Sequence, residues 1–508
     1  RGIEATMSTL NLSVPLQHDY TDPTVELDPA RLKVWLSDLP IMNVVETVRL
    51  VSGALDSLNE QKLDNTQRFR CLEVYRTAVL RLYETTDPLN IRQLSITRRQ
   101  RHGTIDSAAH LFSSLANGYK LAVMQALGQD DALTGKAINR AVESLGCVLL
   151  DCFRYYRSVP GRLVAELHQL YRYARIHGML DITLRDASGE TGQTTNSLYK
   201  YGMLLSLTDP DRLAEGEAGL LADVLREHTD RCRIVQGNNW TGDGAGLFLL
   251  DLATDALPVA CSGLTPPATA DDPYLLDTAV MLHALQQRIA EIPERVRRSS
   301  PEALVVQRLS PAARGADLRR EQRRRDGRWV GLLSGLGHIH AWLLHTSGKP
   351  VAGGAANTAA PSDCRVLDSS DSGMKLFVEG ASAGDARVGD LLGVIEGETG
   401  QEMLRLAGIR SLRVLQEGGM EAGVEIIAAG AGAVYCSLPD QPELAALPAL
   451  FLPAMEEVDI AATLIVASGL YAEGRALQID VGGREISVRA GRLVSDSPVF
   501  ERFEFSAE

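Results

Sequence analysis

Seven arginines, Arg314, Arg319, Arg320, Arg323, Arg324, Arg325 and Arg328, crowd into fifteen residues, and Asp368-Ser369-Ser370-Asp371-Ser372-Gly373 follows downstream. A guanidinium can bond phosphate oxygens in bidentate fashion, stack its plane on a base, or donate to the O6 and N7 of a guanine. Lysine does only the first of these well. A carboxylate at Asp368 can accept from paired N–H donors such as those on a guanine edge, a hydroxyl at Ser370 can bond phosphate or base, and Gly373 lets backbone approach a ligand closely. Such residues recognise a ligand that carries phosphates and planar bases; they do not catalyse.

Within the cluster, Arg324-x-x-x-Arg328 directly precedes an apolar run that opens at Trp329. Asp368-x-Ser370-x-x-Gly373 follows Val366 and Leu367 and leads into Met374, Leu376 and Val378. In these elements and their order the sequence resembles the PilZ family of cyclic di-GMP receptors. In that family a basic R-x-x-x-R segment precedes the first barrel strand, and a D/N-x-S-x-x-G motif lies on the barrel surface. Arg387-Val388-Gly389-Asp390-Leu391-Leu392 resembles the strand after the second motif. Ala407-Gly408-Ile409-Arg410 and Ala422-Gly423-Val424-Glu425 resemble later barrel strands, so the likeness covers about residues 318 to 430.

The resemblance implies a cyclic di-GMP site made of Arg323, Arg324, Arg328, Asp368, Ser370 and Gly373, with no catalytic residue, metal or cofactor. It further implies a receptor that passes the second-messenger signal to a protein partner, in bacterial control of motility, surface attachment or biofilm formation. Arg323, directly before the first motif arginine, hints at a stacked pair of ligand molecules. Arg328 and Asp368 stand 40 positions apart, a wider gap than is usual in the family, with a Gly/Ala-rich insertion from Gly348 to Asp363. Arg319 with Arg323 and Arg320 with Arg324 have the same spacing. Arg324 with Arg328 is preferred because that pair abuts the first strand.

Each feature also has a plainer reading. An isolated arginine run is ordinarily a solvated linker, and Asp-x-Ser-x-x-Gly alone is ordinarily a polar turn; their combination favours a site. Gly242-x-Gly244-x-Gly246 precedes an apolar run instead of joining a strand to a helix, so it reads as a turn and not a nucleotide loop. His338 and His340 would share one face of a strand, yet no third metal ligand accompanies them. Arg98, Arg99 and Arg101 read as an exposed helix boundary. Three other functions stay open: an RNA-binding module that uses the arginine cluster, a degenerate PilZ-like scaffold that binds no nucleotide, and an enzyme with its site in the helical half, which no acid/base constellation supports.

The elements that must position these residues change character along the chain. From about residue 28 to 230 apolar residues return every three or four positions, as in Phe69, Leu72, Tyr75, Val79 and Leu82, or Leu163, Leu167, Leu170 and Ala174. These are amphipathic helices. Leu247 to Leu252 reads as a strand, and a helix with Asp272 as N-cap and Pro273 at its first position is expected to carry Leu275, Ala279, Leu282, Leu285 and Ile289 on one face. After about residue 300 short Val, Ile and Leu runs separated by Gly, Ser and Asp take over, which is strand-and-turn grammar. Leu477, Ile479 and Val481, the turn at Gly482-Gly483, and Ile486 and Val488 form a hairpin.

The 508-residue chain is too long for one core, and its 45% apolar and 23% charged composition is that of a globular protein. The fold class is therefore α+β multidomain: a mainly helical module over 7–300, a linker over 301–317, a PilZ-like antiparallel β-barrel over 318–437, and a β-rich extension over 438–508 that packs on the barrel or forms a second one. Residues 1–6 precede a Met7 that reads as a natural start and are set aside as an expression remnant. The formal net charge of -14 disfavours DNA and anionic membrane surfaces, and no apolar stretch is long enough for a membrane span. Seven scattered cysteines with no C-x-x-C pair fit a reducing cytoplasm.

Overall fold

The computed structural model describes residues 10–19, 22, 25–40, 43–185, 192–237, 239–240, 244–261, 272–297, 300–313, 324–348, 360–381, 384–397, 401–441, 445–454, 461–481 and 483–507. They divide into two compact units, residues 1–318 and 319–508.

The first unit is helical with a small sheet. Its helices are α1 (Pro29–Ser37), α2 (Val44–Glu60), α3 (Asn65–Thr85), α4 (Pro88–Gln93), α5 (Arg98–Ala126), α6 (Asp131–Arg154), α7 (Leu163–Ile176), α8 (Thr195–Ser206), α9 (Glu217–His228), α10 (Ala279–Glu291), α11 (Glu294–Arg297) and α12 (Pro301–Ala313). The expected stripes face inward: Leu72, Tyr75, Val79 and Leu82 of α3 and Leu163, Leu167, Leu170 and Ala174 of α7 are all buried. Arg98 opens α5 behind a capping box in which Thr97 Oγ1 accepts from the Gln100 N–H and the Gln100 side chain accepts from the Thr97 N–H.

Charge inside this unit is held by partners. Arg68 is fully buried on α3 and donates to the carbonyls of Leu58 and Gln61 at 3.1 and 2.6 Å, so it satisfies the C-terminal end of α2. Burial pushes its guanidinium down to about 10. Arg140 binds Glu73 and Glu143 at 2.9 and 3.1 Å, and Tyr119 donates to Glu73 at 2.6 Å. Lys120 on α5 meets Glu166 on α7 at 2.8 Å, and the Ser13 N–H also donates to Glu166 at 2.6 Å.

The sheet of the first unit comprises β1 (Arg233–Gln236), β2 (Leu247–Asp251), β3 (Val259–Ala260) and β4 (Pro273–Asp277), antiparallel in the order β1-β4-β2-β3. The strand at Leu247 is where the sequence put it, after the positive-φ turn glycines Gly244 and Gly246. Pro273, however, starts a strand and not a helix. Central placement between β1 and β2 buries Tyr274, Leu275 and Leu276 together, and a proline is tolerated at a strand's first residue. The helix begins later, at Ala279, after Thr278. The expected linker also differs: residues 301–313 form α12, with Val305 and Leu309 fully buried in the helical core.

The second unit comprises β5 (Arg324–Arg325), β6 (Trp329–Ser334), α13 (Leu336–Thr346), β7 (Ser362–Ser369), β8 (Gly373–Val378), β9 (Leu391–Glu396), β10 (Met403–Val414), β11 (Met420–Ala428), β12 (Gly432–Ser437), β13 (Leu447–Leu452), β14 (Thr463–Ala467), β15 (Ala476–Asp480), β16 (Glu485–Asp496) and β17 (Phe500–Ala507). Six strands close a first barrel, β7-β6-β9-β10-β11-β8, through the β7–β8 pairing, and β5 adds to β7. Its interior holds Val330, Cys364, Val366, Met374, Leu376, Val394 and Val424. The second barrel closes in the order β12-β13-β14-β17-β16-β15 around Val434, Leu464, Leu477, Val488 and Phe503. The hairpin β15–β16 is the one read from Leu477 to Val488.

The extension thus forms a second barrel and also packs on the first. Leu333, Ile395, Leu404 and Leu406 of the first barrel join Leu450, Leu452, Ile465 and Phe500 of the second in one buried cluster with Ile339 of α13. Strand β12, at Gly432–Ser437, belongs to the second barrel although the sequence division fell at 438. His338 and His340 lie on helix α13 and not on a strand, so two positions apart no longer means one face. His340 is buried with Nε2 2.9 Å from the Val434 carbonyl, while His338 is exposed with Nδ1 2.8 Å from the Ser334 carbonyl. Among the described residues no helix is long and apolar enough to cross a membrane.

Candidate functional site

Strand β7 carries the first motif along one side and the second motif at its tip. Arg324 pairs with Ser369 and Arg325 with Asp368, so segments far apart in sequence share one antiparallel ladder. The ladder extends through the Asp326 N–H to the Leu367 carbonyl and the Val366 N–H to the Arg328 carbonyl, each at 3.0 Å. Asp326 ties the crossing: one oxygen accepts the N–H groups of Gly327 and Arg328 at 2.8 and 3.1 Å, and the other accepts the Ser369 hydroxyl at 3.2 Å. Partial burial would raise its carboxyl, but these backbone N–H groups and the Arg328 guanidinium hold it below the usual carboxylate range.

The arginines are not equivalent. Arg324 and Arg325 are exposed and have no ion-pair partner among the described residues. Arg328 is engaged, 3.0 Å from Glu396 and 3.5 Å from Asp326, and Glu396 also lies 3.5 Å from Arg405. Arg323 lies outside the described residues.

The second motif is the β7–β8 hairpin. Ser370 donates from both its N–H and its hydroxyl to the Gly373 carbonyl, at 2.8 and 3.3 Å, which closes a two-residue turn of Asp371 and Ser372. Gly373 is small because β11 crosses it: a Cβ there would lie 2.6 Å from the Val424 carbonyl oxygen. Gly373→Ala is therefore expected to destabilise the first barrel by about 1–3 kcal/mol, as overpacking against backbone does. Chemical denaturation of the variant measures it, and an unchanged midpoint would refute the steric account.

The hairpin places Asp368 beside residues that the motif alone did not single out. Asp368 pairs with Arg325 on one side and Lys375 on the other, and directly paired residues share a face. Arg325, Asp368 and Lys375 therefore form one row on the outside of the barrel, with Lys375 also 2.8 Å from Glu421. The row can hold an anion and read paired N–H donors together. Arg325 was hidden in the sequence by the regular spacing of its neighbours, and Lys375 by its place in an apolar strand. Among the described residues no three His, Cys, Asp or Glu side chains converge as a metal site would require.

Two family models match the chain: residues 30–238 match the N-terminal domain of the cyclic-di-GMP receptor FimW, and residues 438–507 match the FimW C-terminal β-barrel domain. The cyclic-di-GMP receptor FimW of Pseudomonas aeruginosa is 24% identical, over 98% of this chain and 94% of that protein. This chain is similar to that receptor along nearly its whole length. The first matched range holds α1 to α9 and β1, and the second holds five of the six strands of the second barrel; the barrel that carries both motifs lies between them. No solved structure matches the chain.

Proposed function

We propose that this chain is a cyclic di-GMP receptor whose first, PilZ-like barrel binds the dinucleotide and whose helical unit passes the signal to a protein partner. The observation that carries the reading is the ladder joining Arg324 and Arg325 to Ser369 and Asp368, which sets Arg325 beside the acceptor Asp368 and Arg324 next to it on the same edge strand. The match to FimW adds independent support. In this reading Arg323, Arg324 and Arg328 hold phosphates or stack on bases, Asp368 accepts from guanine N1 and N2, and Ser370 and Gly373 shape the turn that presents it. Arg328 exchanges Glu396 for the ligand. The protein is cytoplasmic, acts in motility or biofilm control, and recognises its ligand without turning it over.

The test is calorimetric titration of the full chain with cyclic di-GMP, cyclic di-AMP and a single-stranded RNA. Saturable binding of cyclic di-GMP alone is expected. Salt-steep binding of RNA without a response to cyclic di-GMP would favour the RNA-binding alternative, and a folded protein that binds none of them would leave a scaffold.

A further inference from the structure

Tryptophan is seldom exposed on a folded surface, because its ring is large and apolar. Trp329 is 61% exposed, whereas Trp35, Trp240 and Trp342 are each partly covered. It directly follows the first motif and opens β6. Across the ladder it pairs with Arg365 of β7, which in turn pairs with Phe377 of β8. The guanidinium carbon of Arg365 lies 5.7 Å from the centre of the Phe377 ring. Trp329, Arg365 and Phe377 thus make one outward row of planar groups.

A bulge sets this row beside the reading row. Arg365 and Asp368 are three positions apart and would face opposite ways on a regular strand. The register of β7 slips between Val366 and Asp368, so that Arg365 pairs with Phe377 while Asp368 pairs with Lys375. Phe377 and Lys375 are two apart on β8 and share a face, so Arg365 and Asp368 share it too. The outer face therefore carries Trp329, Arg365 and Phe377 in one row, and Arg325, Asp368 and Lys375 in the next, about 7 Å away at the usual rise of a strand.

We propose that Trp329 and Arg365 form a stacking platform for a guanine base, oriented so that its N1–N2 edge meets Asp368. The inference rests on the receptor reading given above and adds its base-stacking residues. A flat π-surface flanked by a guanidinium suits a purine, and the neighbouring Arg325 and Lys375 supply the positive charge that the attached phosphates need. The bulge supplies the geometry: it turns the edge-reading carboxylate to the side of the sheet where the base would lie.

The experiment titrates cyclic di-GMP into wild type, Trp329→Phe and Trp329→Ala while following both heat and tryptophan fluorescence. Trp329→Ala is expected to weaken binding about tenfold and Trp329→Phe by no more than about threefold, since loss of base–aromatic stacking is worth that much and a phenyl ring keeps a π-face. Binding is expected to change wild-type fluorescence and to leave that of Trp329→Phe flat, because Trp329 is the indole that the base would cover. Trp329 is exposed, so both variants should melt as wild type does. If wild type binds, and Trp329→Ala binds equally well or wild-type fluorescence does not respond, the platform is refuted while the receptor reading stands. If folded wild type does not bind, the receptor reading fails and the platform with it.

Discussion

Replacing Arg324 by Ala is expected to weaken cyclic di-GMP binding about tenfold or more and to leave the melting temperature unchanged. Arg324 is exposed on β5 and holds no ion-pair partner among the described residues, so its truncation removes little from the fold. A charge-assisted hydrogen bond to phosphate or base is worth roughly 1.5–3 kcal/mol, which sets the size of the loss. Arg328→Ala should differ. It strips Glu396 of its 3.0 Å partner and leaves that mostly buried carboxylate, among the described residues, with Arg405 at 3.5 Å, so stability should fall along with affinity.

Asp368→Ala should fail in a third way. Only a guanine offers the paired N1 and N2 donors that a carboxylate accepts, so discrimination against cyclic di-AMP should narrow as affinity for cyclic di-GMP drops. Titrations of wild type and the three variants with both dinucleotides, at two salt concentrations and beside thermal melts, separate these outcomes. The arginine variants should also show a shallower dependence on salt. Wild-type affinity in all three correctly folded variants would move the site away from this edge of the barrel.

Much of the architecture was legible because it rests on periodicity. The stripes of α3 and α7 and the alternation of β15 and β16 come from residues whose burial is decided within a single element. The misreadings came from neighbours distant in sequence. Pro273 has the local character of a helix start, yet two flanking strands claim Tyr274, Leu275 and Leu276. His338 and His340 sit in a short apolar stretch that suits strand or helix, and packing against both barrels makes it α13. Residues 301–317 looked like a linker because of the arginines that follow, although Val305 and Leu309 have helical spacing.

The candidate site divides along the same line. Residue types and order were enough to pair the two motifs, and the ladder brings Arg324 and Arg325 against Ser369 and Asp368. Which side chains share a face depends on a one-residue slip near Leu367, and a bulge leaves no compositional mark. That slip is what brings Arg365 to the face of Asp368, a neighbourhood that residue order alone does not show.

The largest effect on stability is expected within the helical unit, at the Lys120–Glu166 pair. Both side chains are almost fully buried, 6% and 4% exposed, between α5 and α7. Lys120→Met keeps much of the apolar stem but leaves a carboxylate whose remaining hydrogen bond among the described residues comes from the Ser13 N–H at 2.6 Å. Removing one member of a buried pair costs about 3–5 kcal/mol, chiefly because the other charge stays behind. Adding Glu166→Gln removes that charge and keeps an acceptor for Ser13, so the double variant should recover most of the loss, in line with the near-neutral replacement of many buried ion pairs. Denaturant melts followed by the helical circular-dichroism signal give the comparison, and hydrogen exchange at Ser13 reports whether its N–H stays bonded to residue 166. Equal destabilisation in the single and double variants would mean that the lysine stabilises through packing alone and that its charge carries no weight there.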